Sequence, residues 1–412
     1  MSPAETIQRT PAAGTTPGRY RHFVIGAVIY LLLCQLGVLF VSIPTSLAGF
    51  ADFRNLYTAG YMVRTGEARH LYDFQVQERL QSLVTSQNGV IPFIHPACAS
   101  LLFLPLSLLS YRAAYCVFLV INLLLLWLSA RLMRDSLPHL AEFWRPLPFL
   151  LFLCFFPAAE ALMQGQTSIL LLTLFSAAFA SVRTGNPLRA GLFLGLAILK
   201  LQVALPFAVL LVLWRLWRFA AGFLAGASAA LAASLAVTGY SAFVAYWRAL
   251  FLMAIGAPAN PASAHMPPEM MPNLYGFAHI LSGGAAWGAR SAAVLWLLLF
   301  SWIAYRRRSL PLAVVGALLI SPYMGVHDLV LLLLPISIAL DYVLAHPLEL
   351  RARATGAVCL VLLCPAVYLY LMGWHLVDWM AVVMMAFLVC LSMLKLKDVE
   401  HQNHAAAGNQ EV

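Results

Sequence analysis

Charge is what this sequence has least of. Charged residues make up 10% of the chain against 62% hydrophobic, which excludes a large water-soluble domain anywhere along it. Paired cysteines are missing as well. Cys34, Cys98, Cys116, Cys154, Cys359, Cys364 and Cys390 fall mostly inside apolar runs with no CxxC among them, so neither a disulfide framework nor a cysteine metal site is expected. No internal repeat is visible. The first apolar run, 23–43, is longer than the core of a cleaved signal and reads as a retained anchor. The net charge of +9 does not point to nucleic acid, because many basic residues flank apolar runs, as in membrane anchoring.

Long apolar runs are what is present. A bilayer core of about 30 Å needs about 20 apolar residues per helix, and backbone in lipid must satisfy its own hydrogen bonds. The non-alternating runs therefore predict an all-α polytopic transmembrane bundle of about 11 to 13 apolar segments over residues 23–394. A polar, disordered cytoplasmic stretch (1–22) is expected before it and a polar tail (395–412) after it. Segments near 96–110, 188–199 and 311–322 are short for a crossing, which predicts half-spans or broken helices lining a cavity. Arg19 and Arg21 place the N-terminus inside, and Arg183, Arg189, Arg215, Arg218 and Arg306 to Arg308 mark further cytoplasmic turns. Loops 44–94 and 239–283 then lie outside. The order of crossings between 95 and 147 does not close, and one piece there reads as re-entrant.

The first outer loop opens with FADFRNLYTAGYMVRTGEARHLYD, dense in charge for so apolar a chain. Phe53, Leu56, Tyr57 and Tyr61 recur at helical spacing, and Asp73 suits the N-cap of a second amphipathic helix. Both helices are expected to lie in the membrane interface.

Ionisable groups inside spans are costly and mark function. The informative ones are Glu160, Lys200, His327 and Asp328, with His95, Gln166 and Gln202 beside run ends. Each also has a structural reading. Lys200 could snorkel, Glu160 could pair with it, His327 could be a satisfied core histidine, and Asp52, His95 and Asp328 could start or cap helices. Chemically, a lone carboxylate beside the membrane suits general-base removal of a hydroxyl proton. A phosphate leaving group needs little acid help, so one carboxylate suffices where inversion otherwise uses two. A cation and polar donors would stabilise the phosphate. Asp52-Phe53-Arg54 places arginine where a metal-binding Asp-x-Asp would need its second carboxylate, so no metal is expected.

Six blocks carry a resemblance: the stretch above, FIHPACASLLFLPLSLLSYRAAY, EALMQGQTSILLLTLFSAAFASVRTGNPLRAGLFLGLAILKLQ, WRLWRFAAG, MPNLYGFAHIL and SPYMGVHDLVLLLLP. In order and spacing the chain resembles family 87 of the glycosyltransferases, polytopic enzymes of the C-type fold. The resemblance implies transfer of a mannose-like hexose from a polyprenyl-phosphate sugar to a lipid or glycan acceptor. The reaction would take place at the outer face of the bacterial cytoplasmic membrane, with no cofactor. It maps the general base onto Asp52 and a site histidine onto His327. Where the family often has His-Pro-Pro and Gly-Gln-x-Asn, this chain has His95-Pro96-Ala97 and Gly165-Gln166-Thr167-Ser168. Arg54, Lys200, His327, Gln166 and Asn273 are the expected donor contacts, with Tyr57, His95, Glu160 and Asp328 behind them. A transporter or flippase, or a ligase or polymerase of lipid-linked glycans, are the alternatives.

Overall fold

The computed structural model describes residues 17–254, 266–283 and 309–394, with 294 and 298 besides. The expected span 285–304, Arg306 to Arg308, part of the loop 239–283 and the tail from 395 lie outside the described residues. Every regular element described is helical, and the chain is a polytopic membrane helical bundle.

Helix α1 (Pro17–Thr45) begins inside the segment expected to be disordered. Its apolar side chains face outward, with Phe40 82% exposed, as lipid contact demands. After a turn comes α2 (Phe53–Arg64), which has the expected amphipathic spacing but does not lie on a surface. Phe53, Leu56 and Met62 are fully buried, and the polar Arg54, Asn55 and Thr58 are buried too. The polar face is roofed by the loop after α3 (Phe74–Thr85), where Arg54 Nη2 donates to Gly89 O at 3.2 Å. Asp73 caps α3 as expected, accepting from the amides of Gln75 and Val76 at 3.0 and 3.3 Å.

Helix α4 (Cys98–Phe103) has six residues, about 9 Å of rise, far short of a bilayer. The run 96–110 thus holds no helix long enough to cross, and leaving it out of the count lets the order of crossings close. Helix α5 (Tyr111–Met133) crosses, and α6 (Pro138–Phe143) lies at its far end. Helices α7 (Leu147–Cys154) and α8 (Phe156–Gln164) are together long and apolar enough to cross and are bent by 61° at the break between them, and α9 (Ser168–Arg183) follows.

Helix α10 (Pro187–Leu196), a 3₁₀ turn Ala197–Lys200 and α11 (Leu201–Leu213) follow without a gap, yet they are not one straight rod. Helix α12 (Trp217–Ala254) packs parallel to α10. A Cβ on Gly191 would meet Phe219 O at 2.0 Å, and one on Gly195 would meet Phe223 O at 2.2 Å. A straight run would hold residues 191 and 213 roughly 33 Å apart, and the chain from 213 to 219 can span at most roughly 22 Å. The chain therefore folds back at Lys200, whose backbone (φ −125, ψ 80) is not helical. This is why the sequence shows two short apolar segments there, with Arg189, Arg215 and Arg218 at one end. Gly191 and Gly195 face Gly222 and Gly226, and small residues at this spacing let two backbones approach in lipid.

A break at Gly239 divides α12. Residues 240–254, expected as loop, continue as helix, and the Tyr246 ring lies 5.2 Å from that of Tyr72. Helices α13 (Leu274–Leu281) and α14 (Leu310–Ile320) lead to the turn 321–325. A 3₁₀ segment Val326–Leu332 then enters α15 (Leu333–Ala345), and Leu329 to Leu334 are all fully buried, making this span the central pillar. Helices α16 (Leu350–Leu363), α17 (Pro365–Gly373) and α18 (Met380–Met393) close the described chain. By this path Arg134, Arg145, Arg183, Arg189, Arg215 and Arg218 gather at one end of the bundle. There Asp341 binds His139 Nδ1 and the Leu140 amide, each at 2.9 Å. Asp52, the end of α8, the Lys200 reversal and the start of the pillar gather at the other.

Candidate active site

Asp52 stands at the N-cap position of α2, but its side chain caps nothing there. It is held instead from α8. That helix ends at Gln164, and Gly165 turns the chain in the left-handed region (φ 59). A Cβ on Gly165 would come within 2.7 Å of Phe53 Cβ, so a glycine lets α2 and the turn approach. The glutamines on either side both reach Asp52. Gln164 Oε1 accepts from the Asp52 amide at 3.1 Å, and Gln166 Nε2 donates to Asp52 Oδ2 at 2.5 Å. Gln164 Nε2 also donates to Glu160 Oε1 at 3.3 Å, one helical turn back. Asp52 is only half-buried, and its Oδ1 accepts no hydrogen bond from a described residue. The carboxylate is thus fixed by one oxygen and presents the other.

A second polar group lies deeper. Lys200 Nζ binds Asp328 Oδ1 and donates to Ser168 Oγ at 2.8 Å, and Ser168 Oγ donates to Asp328 Oδ1 at 2.8 Å. The Gly325 amide donates to Asp328 Oδ2 at 3.3 Å, and His327 Nε2 lies 3.5 Å from the same oxygen. Lys200 and Asp328 are 4% and 2% exposed, so the ammonium is engaged by a buried carboxylate, and Glu160 is not its partner. The pair fixes the 325–328 turn and with it His327.

His95 joins from the loop before α4. Its Nδ1 lies 3.1 Å from Leu199 O; a carbonyl only accepts, so Nδ1 carries the proton and Nε2 keeps its lone pair. Burial, helped by the Lys200 charge, pushes its pKa down to about 4, and the imidazole is neutral near pH 7. Tyr323, in the turn 321–325, is raised above the ordinary tyrosine value by burial and then by Asp52 and Asp328, and so keeps its phenolic proton. The Asp52 charge bears on both His95 and Tyr323, which marks one neighbourhood.

The remaining candidates are spoken for by backbone. Asn273 is fully buried; its Oδ1 caps α13 through the Gly276 amide and its Nδ2 donates to Ser321 O, both at 2.8 Å. It pins the turn that carries Tyr323. Tyr57 donates to Leu109 O at 2.7 Å within an aromatic group with Phe53 and Tyr111. Arg54 is 5% exposed, and its Nε has no partner. Gln164 and Tyr323 were not singled out from sequence. The signal for Gln164 was the Gln-Gly-Gln triplet, two amides flanking a residue free to turn. Among the described residues no three His, Cys, Asp or Glu side chains gather as a metal site requires.

No curated protein and no solved structure matches the chain. The model of glycosyltransferase family 87 matches residues 93–335, more than half of it. That stretch contains His95, Glu160, Gln166, Lys200, Asn273, His327 and Asp328, and begins after α2, so Asp52 lies ahead of it. It runs through both halves of the polar neighbourhood and the spans that carry them, and it implies a sugar donor and an acceptor as substrates. The chain belongs to glycosyltransferase family 87 and is a membrane glycosyltransferase.

Proposed function

We propose that the protein transfers a mannose-like hexose from a polyprenyl-phosphate sugar to a lipid or glycan acceptor at the outer face of the cytoplasmic membrane, with inversion. The observation that carries this reading is the Asp52 carboxylate, clamped by Gln166 through one oxygen with the other unbonded, at the membrane end opposite the arginines. Arginine-rich turns favour the cytoplasm, so the opposite end faces outward. There Asp52 takes the proton of the acceptor hydroxyl as that oxygen attacks the anomeric carbon. The sugar–phosphate bond breaks on the other face, and the lipid phosphate departs as an anion. In this reading the protonated Tyr323 donates a hydrogen bond to sugar or phosphate and neutral His95 accepts from a hydroxyl, while His327, with Nε2 turned to Asp328, contacts the donor through its other ring nitrogen. Arg54, bonded to Gly89 O, ties α2 to the loop that covers it and so supports Asp52. Lys200, neutralised by Asp328, adds no net charge and instead fixes the 325–328 turn from behind the site.

Purified protein given polyprenyl-phosphate mannose and a lipid extract should form a glycolipid detectable by mass spectrometry. Asp52→Asn keeps an oxygen for Gln166 and removes only the base. Its turnover should fall by about 10²-fold or more with an unchanged thermal unfolding midpoint. Full activity of that variant would sink the assignment.

A further inference from the structure

The opposite end of the bundle holds a cavity of about 360 Å³ between the end of α5 and the entry to α7. Trp127, Arg131 and Arg134 line it at i, i+4 and i+7, the spacing that puts them on one helix face. Arg145, Pro148 and Phe149 line the other side. Three arginine side chains thus line one space. Among the described residues none of them has a carboxylate at ion-pair distance. Asp135 is held by Arg183 at 2.7 Å, and Asp341 by His139 and the Leu140 amide.

We propose that this cavity seats the phosphate headgroup of an anionic phospholipid of the leaflet at that end. Guanidinium matches phosphate through paired N–H donors, and basic pockets between spans are suited to lipid headgroups. The apolar wall decides between a lipid and a free phosphate. Trp127 is 52% exposed at the level where tryptophans border a bilayer, and with Phe149 it offers acyl chains a surface that a soluble ion cannot use. The site is separate from the glycosyl-transfer machinery and does not depend on the reading of that chemistry.

The test uses the full chain in a neutral detergent, with dioleoylphosphatidylglycerol, dioleoylphosphatidylcholine or sodium phosphate added separately. Native mass spectrometry should show a retained phosphatidylglycerol adduct and a raised unfolding midpoint with that lipid alone. The triple variant Arg131→Gln, Arg134→Gln, Arg145→Gln should retain at least tenfold less of it. A triple variant at Arg189, Arg215 and Arg218, which lie at the same end outside the cavity, should retain it normally. Equal retention by wild type and the cavity variant, equal retention of phosphatidylcholine, or the same stabilisation by inorganic phosphate would each overturn the proposal. Arg145→Glu alone, on an exposed turn, gives the same reading should the triple variant fail to fold.

Discussion

Gln166 is the side chain through which the site holds its carboxylate. Replacing it by leucine keeps the bulk and removes the donor to Asp52, so the carboxylate can rotate away. A misplacement of about 1 Å is enough to cost about 10²-fold in rate. Gln166→Leu should therefore lower kcat by about 10- to 100-fold with little change in KM, as measured by donor turnover. Lys200 offers a sharper contrast. Leaving Asp328 buried without its partner should destabilise the fold by about 3–5 kcal/mol, whereas replacing both charges by apolar side chains of similar size should come close to neutral. Lys200→Met should thus unfold well below the parent, and Lys200→Met with Asp328→Leu should recover most of that loss in thermal unfolding. At this scale much of the neighbourhood was legible. Glu160, Lys200, His327 and Asp328 stood out because lipid penalises ionisable groups, His95 and Gln166 because they sit at run ends, and Asp52 because its loop is dense in charge and the family resemblance maps the base onto it. Their pairing was not legible, since Lys200 and Asp328 lie 128 positions apart and no local spacing links them. Asn273 was expected to contact the donor from its place in the block MPNLYGFAHIL. Its amide goes to a helix cap and a distant carbonyl, partners that exist only after folding.

Among the elements, the α10–α12 contact depends on glycine most directly. A side chain at Gly222 would meet Leu188 O at 2.0 Å, and backbone cannot yield as a side-chain tip does. Gly222→Leu should cost on the order of 3 kcal/mol, read as a lowered unfolding midpoint in detergent, while Gly26→Leu, which has open space around it, should leave the midpoint unchanged. The apolar runs announced the helices and even the shortness of the one at 188–199, because lipid sets a minimum length that this segment misses. Helix α2 misled for a physical reason. An amphipathic pattern says that one face is buried and leaves open whether lipid or protein covers the rest. Here Gly89 O and the loop around it cover the polar face, so the helix became an interior support for Asp52. The helix at 240–254 was hidden by Gly239, which reads as a terminator, although the chain resumes its helix beyond the break.

At the scale of the whole molecule, the placement of the arginines predicts an orientation that can be measured. In a cysteine-free background, an impermeant maleimide added to intact cells should label Arg69→Cys. Thr184→Cys and Arg215→Cys should be labelled only after permeabilisation; labelling of Arg215→Cys from outside would contradict the reversal at Lys200. That reversal has a further consequence in time. The hairpin tip is made long before its counter-charge, because Asp328 follows 128 residues later. At about 5–20 residues per second, Lys200 waits roughly 6 to 25 seconds in the forming bundle without the carboxylate that neutralises it. The N-terminal half of the protein therefore cannot settle on its own schedule. The central pillar, one of the later spans to be synthesised, completes the charge balance of a hairpin laid down well before it.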